Sequence, residues 1–124
     1  MRKTLTAFAL SLPVLTAFPV TAQEQDAVSG TGAVLRGLDK VNGQTVDAEL
    51  MIGANAEVFG LTVTLADCRY PSDNPTGDAY AYLTVRDPTN GEVSFEGWMI
   101  ASSPALSALD HSRYDVWVLR CNNS

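Results

Sequence analysis

Five residues near the C-terminus carry the side chains of acyl transfer: Ser102, Ser103, Asp110, His111 and Asp115. A serine hydroxyl, a histidine base and an orienting carboxylate form a hydrolytic set. His111 is the only histidine in the chain. The sequence offers no Gly-x-Ser-x-Gly turn to expose a nucleophile and no glycine-rich loop nearby to supply oxyanion donors. The same residues have an explanation without chemistry. Serine suits a helix cap, proline suits the first helical position, and a histidine at the helix end interacts well with terminal carbonyls. No catalytic residue is assigned on this basis. A small hydrolase with a site near residues 102–115 stands as the alternative to be tested by geometry.

Other chemistries find fewer residues. Asp73, Asn74 and Asp78 could offer oxygens to calcium, yet their spacing differs from an EF-hand loop and no bidentate glutamate closes it. One histidine and two cysteines do not make a zinc site. Cofactor phosphate motifs are absent, so neither metal nor cofactor is expected. Cys68 and Cys121 lack the Cys-x-x-Cys spacing of redox centres and are expected to pair. On the chain-entropy account a loop of this length contributes about 4 kcal/mol.

Recognition is better supplied. Tyr80 and Tyr82 share one face of an extended stretch, and an aromatic body with a polar tip suits binding; equally, such a pair packs across neighbouring strands. Together with Trp98, His111 and Tyr114 they form the candidate binding surface.

The elements that must position these residues begin after a leader. Arg2 and Lys3 precede an uncharged, largely apolar stretch, and Val20-Thr21-Ala22 presents small residues for cleavage. Residues 1–22 therefore read as a signal peptide, too short and too broken by Pro13 and Pro19 for a span, so no membrane insertion is expected after cleavage. The chain from Gln23 onward has 6 basic and 14 acidic residues, a net charge of -8, which disfavours nucleic acid. Residues 23–32 are polar, without periodicity, and read as a flexible lead. Residues 33–124 read as one β domain.

Within that domain, alternation predicts strands over 33–41, 44–52, 57–59, 61–70, 79–87, 92–99 and 114–121. Asn42-Gly43 predicts a type I′ hairpin. A short helix is expected to begin at Pro104, with Leu106 and Leu109 turned onto the sheet. One conflict is internal. Leu61, Val63 and Leu65 share a face, which sends Cys68 to the opposite one unless a bulge near Ala66 or Asp67 resets the phase, or the bridge lies at the sheet's rim. The fold class is all-β: a small antiparallel β-sandwich or open barrel of six to seven strands, with one short helix before the last strand and one disulfide.

Four segments also resemble a known family: Leu35-Arg36-Gly37-Leu38-Asp39-Lys40; Cys68-Arg69-Tyr70-Pro71 with Asn74-Pro75; Gly97-Trp98-Met99-Ile100-Ala101-Ser102-Ser103-Pro104; and Tyr114-Asp115-Val116-Trp117-Val118-Leu119-Arg120-Cys121. Together they look like exported bacterial proteins grouped as a domain of unknown function. Ser112 departs from the proline more usual after that histidine. The resemblance implies a Gram-negative periplasmic setting and brings no activity, substrate or catalytic residue. The expected function is a non-enzymatic periplasmic module that binds a protein or cell-envelope component, inhibitor-like in one version. A structural subunit of an envelope complex is a further alternative.

Overall fold

Leu61, Val63 and Leu65 alternate with Thr62 and Thr64, so an extended backbone sends apolar groups to one side and hydroxyls to the other. The computed structural model describes residues 26–123 and contains eight strands among them. They are β1 (Ala27–Ser29), β2 (Gly32–Asp39), β3 (Thr45–Met51), β4 (Asn55–Val58), β5 (Leu61–Pro71), β6 (Tyr80–Asp87), β7 (Glu92–Ile100) and β8 (Tyr114–Asn122). Two antiparallel sheets result. One runs β1-β5-β6-β7, with β4 also paired to β5; the other runs β3-β2-β8. The first part of β5 pairs with β4 and its last part with β1.

The chain joins the sheets along one side. Residues 30–31 lead from β1 into β2, and residues 52–54 lead from β3 into β4. The second crossing is held by hydrogen bonds from Gly53 N to the Leu65 carbonyl (2.7 Å) and from Leu65 N to the Ala54 carbonyl (3.1 Å). On the other side β7 and β8 are edge strands, and residues 101–113 run from the end of one to the start of the other. This strap returns along β7. The Ser107 hydroxyl donates to the Trp98 carbonyl (3.0 Å), and Asp110 N donates to the Ser94 carbonyl (3.1 Å). Covering an edge in this way removes a template for unwanted strand pairing.

Leu35, Val63, Leu65, Leu83, Val85, Met99, Val116 and Val118 fill the space between the sheets. Burying each contributes about 1.5–3 kcal/mol relative to exposure. Three register shifts interrupt the ladders, one of them between Val85 and Arg86 in the β6–β7 pair, and the other two place the cysteines. The β5–β6 register shifts between Leu65 and Asp67, and the β2–β8 register shifts between Val34 and Leu35. The first turns Cys68 inward beside Leu65, as the phase conflict required. The second turns Cys121 inward beside Val118, where alternation alone had placed it with Trp117. The cysteines then form a disulfide that ties β5 of one sheet to β8 of the other, with Cα atoms 5.7 Å apart.

Other expectations are corrected. Part of the expected flexible lead is ordered: β1 pairs Ala27, Val28 and Ser29 with Pro71, Tyr70 and Arg69. Three residues are too few for periodicity to register, and their stability comes from the β5 edge. The expected signal peptide, residues 1–22, lies outside the described residues. The expected helix is a single 3₁₀ turn, Pro104–Leu106. Ser103 makes no side-chain cap, Leu106 is exposed, and only Leu109 reaches the core. Asn42-Gly43 does not form a type I′ turn, since Gly43 alone of the two has positive φ. That geometry instead belongs to Phe59-Gly60 between β4 and β5, with φ of 51° and 83°.

Candidate functional site

Strand register assembles the outer face of the larger sheet into three rungs across β5, β6 and β7. They are Arg69–Tyr80–Ile100, Asp67–Tyr82–Trp98 and Thr64–Thr84–Glu96. The bulge before Asp67 matters here too, because it sets Asp67 and Arg69 on the outer face while Cys68 points in. Trp98 is 46% exposed. Its indole meets the Tyr82 ring edge-on at 5.4 Å and 79°, a cross-strand contact worth about 0.5–1.5 kcal/mol. Tyr80 lies one rung away, diagonal to Trp98. A groove of about 410 Å³ opens between Ala27, Arg69, Tyr80, Trp98 and Ile100. Arg69 is steadied by donating to the Ala27 carbonyl at 2.8 Å. The Tyr80 and Tyr82 hydroxyls and the Trp98 N–H make no hydrogen bond among the described residues.

His111 and Tyr114 belong to a different place. Two hairpins end the sandwich there, and they share one construction. In each, an aspartate Oδ1 accepts from the backbone N–H two residues on: Val41 N to Asp39 and Thr89 N to Asp87, both 2.9 Å. An asparagine repeats the device, with Gln44 N to Asn42 and Glu92 N to Asn90. A glycine in the left-handed region, Gly43 or Gly91, then closes a 2.8 Å bond to the aspartate carbonyl. Asp39 lies in the smaller sheet and Asp87 in the larger, and the end of the strap is held by both. Arg113 donates to Asp39 Oδ2 at 3.0 Å, and His111 Nε2 lies 3.1 Å from Asp87 Oδ2. Lys40 adds a bond from its ammonium to the His111 carbonyl, at 2.7 Å.

Nδ1 of His111 accepts from the backbone N–H groups of Arg113 (3.1 Å) and Tyr114 (3.0 Å). That network assigns the ring proton to Nε2, which donates to Asp87. The imidazole also stacks on Tyr114 at 5.3 Å, and Tyr114 stacks on Phe59 at 5.6 Å with rings 6° apart. Gly37 makes room beneath, since a Cβ there would lie 2.3 Å from Val58 Cγ1 and 3.2 Å from Phe59 Cδ2.

Charge follows this geometry. Asp39 is the one charged side chain buried among the described residues. Its hydrogen bonds from the Arg113 guanidinium hold its carboxyl below the usual range, against the opposing effect of burial. The Asp87 carboxyl is held down first by the Thr89 hydroxyl and N–H and then by His111. On the outer face of the smaller sheet, Arg36 lowers Asp47 through a two-pronged contact of 2.8 and 3.1 Å.

The serine, histidine and acid residues are not brought together. The Ser102 hydroxyl donates to Asp78 Oδ2 at 2.6 Å, and Asp78 Oδ1 accepts from Ser102 N and Ala79 N. Asp78 precedes β6 whereas Asp87 ends it, which separates Ser102 from His111 by about 30 Å of strand. The candidate binding residues likewise divide. Tyr80, Tyr82 and Trp98 share the outer face; His111 and Tyr114 brace the strap. Asp39 and Asp87 were missed, although the repeated Asp-x-x-Asn-Gly pattern marks both.

A family model described as "Uncharacterized protein conserved in bacteria (DUF2155)" matches residues 33–121. That span begins in β2, ends at the disulfide cysteine of β8 and leaves out β1. A relative, the uncharacterized protein RP359 of Rickettsia prowazekii (strain Madrid E), is 26% identical over 97 residues. The match covers 73% of this chain and 61% of that protein, so the chain spans under two thirds of the relative's length. No solved structure matches. With the model covering both sheets and both cysteines, the chain belongs to this family of uncharacterized bacterial proteins.

Proposed function

We propose that this protein is an exported, non-enzymatic binding module that meets its partner with the outer face of the β1-β5-β6-β7 sheet. The observation that supports this most is Trp98: a 46% exposed indole held at a fixed angle by Tyr82, beside an open groove. Exposed large aromatic groups held rigidly by neighbours lose little entropy on binding, and tryptophan, tyrosine and arginine dominate the energetics of recognition surfaces. A periplasmic location fits the leader sequence and a disulfide between the sheets, since such bonds persist in oxidising compartments. The acidic surface keeps nucleic acid outside this reading.

A photo-reactive residue placed at position 100, beside Trp98, tests the docking face in intact cells. The expected result is a discrete crosslinked envelope species that disappears when Trp98→Ala is added. Crosslinks unchanged by Trp98→Ala while a probe at Leu106 captures the same species would move the docking face elsewhere. Fractionation and intact mass of the purified chain test export, with a chain beginning at Gln23 in the periplasmic fraction as the expected outcome.

A further inference from the structure

Resting on that reading of the outer face, we infer that its ligand is a neutral pyranose chain, a glycan whose sugar ring stacks on Trp98. Three properties of the face select this chemistry. The first is charge. The chain from Gln23 onward carries a net charge of -8, yet this face is nearly balanced, with Arg69 and Arg86 set against Asp67, Glu96 and, on β4 opposite Thr62, Glu57. A balanced face attracts neither polyanions nor polycations.

The second property is mixed polarity at short range. A sugar ring presents C–H groups on one face and hydroxyls around its rim. An aromatic surface satisfies the first, and fixed donors and acceptors satisfy the second. Trp98 supplies the surface; the Tyr80 and Tyr82 hydroxyls and the Trp98 N–H stand uncommitted beside it. Arg69 keeps guanidinium N–H groups beyond the one bonded to Ala27, and Asp67 stands on the rung of Tyr82 and Trp98. A purely aliphatic ligand would strand these polar groups on closing over them, at a desolvation cost.

Size is the third. The groove of about 410 Å³ falls within the range of small-ligand sites, and Arg69 is the one charged side chain in its lining. A protein partner needs roughly 800 Å² on each surface, with an apolar centre. One half-exposed indole with Ile100 and Ala27 offers far less apolar area than that.

The inference is tested by titrating the disulfide-bonded mature chain with cellotetraose, chitotetraose and maltotetraose, following tryptophan emission. A Trp117→Phe background assigns the signal to Trp98. Pelleting with purified peptidoglycan sacculi separates a wall polymer from a free oligosaccharide as the source. The expected result is a saturable emission shift with at least one of these glycans. Affinity should fall roughly tenfold or more in Trp98→Ala and be largely retained in Trp98→Tyr, with both variants still folded and cooperative at the assay temperature and the thermal midpoint of Trp98→Ala lowered only by the loss of its ring contact with Tyr82. Absence of any shift up to about 10 mM, together with absence from the sacculus pellet, overturns the glycan inference. If an envelope protein then crosslinks at position 100 in a Trp98-dependent way, the docking face stands with a protein as its partner. If neither glycan nor crosslink depends on Trp98, both readings fall.

Discussion

His111 donates to Asp87, and through that 3.1 Å bond a segment entering the last strand of the smaller sheet is fastened to a hairpin of the larger one. Beside it Arg113 reaches Asp39 at the end of β2. The strap is therefore held to both sheets within three residues, and its histidine has both ring nitrogens engaged in holding it.

His111→Ala removes the Asp87 contact and the two backbone bonds to Nδ1 at once. Urea unfolding should show a lower midpoint with an unchanged slope, and Asp87→Asn a smaller loss. In the double variant the two losses should sum to less than additive, because both break one contact. Full additivity in that cycle would show that His111 and Asp87 act independently.

Acid should weaken the fold before alkali does. Asp39, Asp47 and Asp87 all have carboxyl groups held below the ordinary range, principally by Arg113, Arg36 and Thr89 respectively. A depressed folded value means stability that is present above the ordinary aspartate range and lost as pH falls through the folded values. Stability should be level above about pH 5 and decline below about pH 4. Asp39→Asn should lower the plateau and flatten that decline in a pH series of urea midpoints.

Reduction of the disulfide should cost about 4 kcal/mol by the loop-closure account. The paired variant Cys68→Ser with Cys121→Ser measures it, in urea, without added reductant. Because both sulfurs are inside, serine hydroxyls there add a desolvation cost, so Cys68→Ala with Cys121→Ala should lose less.

Gly37→Ala places a methyl group 2.3 Å from Val58 Cγ1. Overpacking of this kind costs about 1–3 kcal/mol, readable as a fall in the thermal midpoint. The Phe59–Tyr114 stack should shift with it, which near-ultraviolet circular dichroism detects.

Trp98→Ala and Leu83→Ala should separate recognition from stability. Leu83 is fully buried, and its truncation should cost about 2–5 kcal/mol. Trp98 loses one edge-on ring contact, about 0.5–1.5 kcal/mol. Comparable losses in the two variants would mean that Trp98 holds the sheet rather than facing a partner.

Much of this architecture is legible in the sequence. Period-two alternation finds the longer strands, and the clash between the Leu61-Val63-Leu65 face and Cys68 points to the bulge that the β5–β6 register contains. What alternation does not reveal is set by distant partners. Ala27–Ser29 is a strand only because β5 offers it an edge. Pro104–Leu106 carries helix-start residues, yet the strap must travel back along β7, and a longer helix would shorten its reach. Phe59 occupies the left-handed turn position better suited to asparagine, held there by its stack on Tyr114, and no local propensity foretells that. The aromatic face was readable from β6 alone. The separation of His111 from it depends on Asp87, three residues beyond Thr84 of the last rung.

The pairing of β2 with β8 sets the timetable of folding. Gly32 lies opposite Asn122, so the smaller sheet stays two-stranded, with a bare edge on β2, until nearly the whole chain is present. Contacts so far apart in sequence slow the search for the native state. A chain delivered N-terminus first holds the Cys68 thiol unpaired throughout that interval. Oxidation between Cys68 and Cys121 can then serve as a late, single closing step.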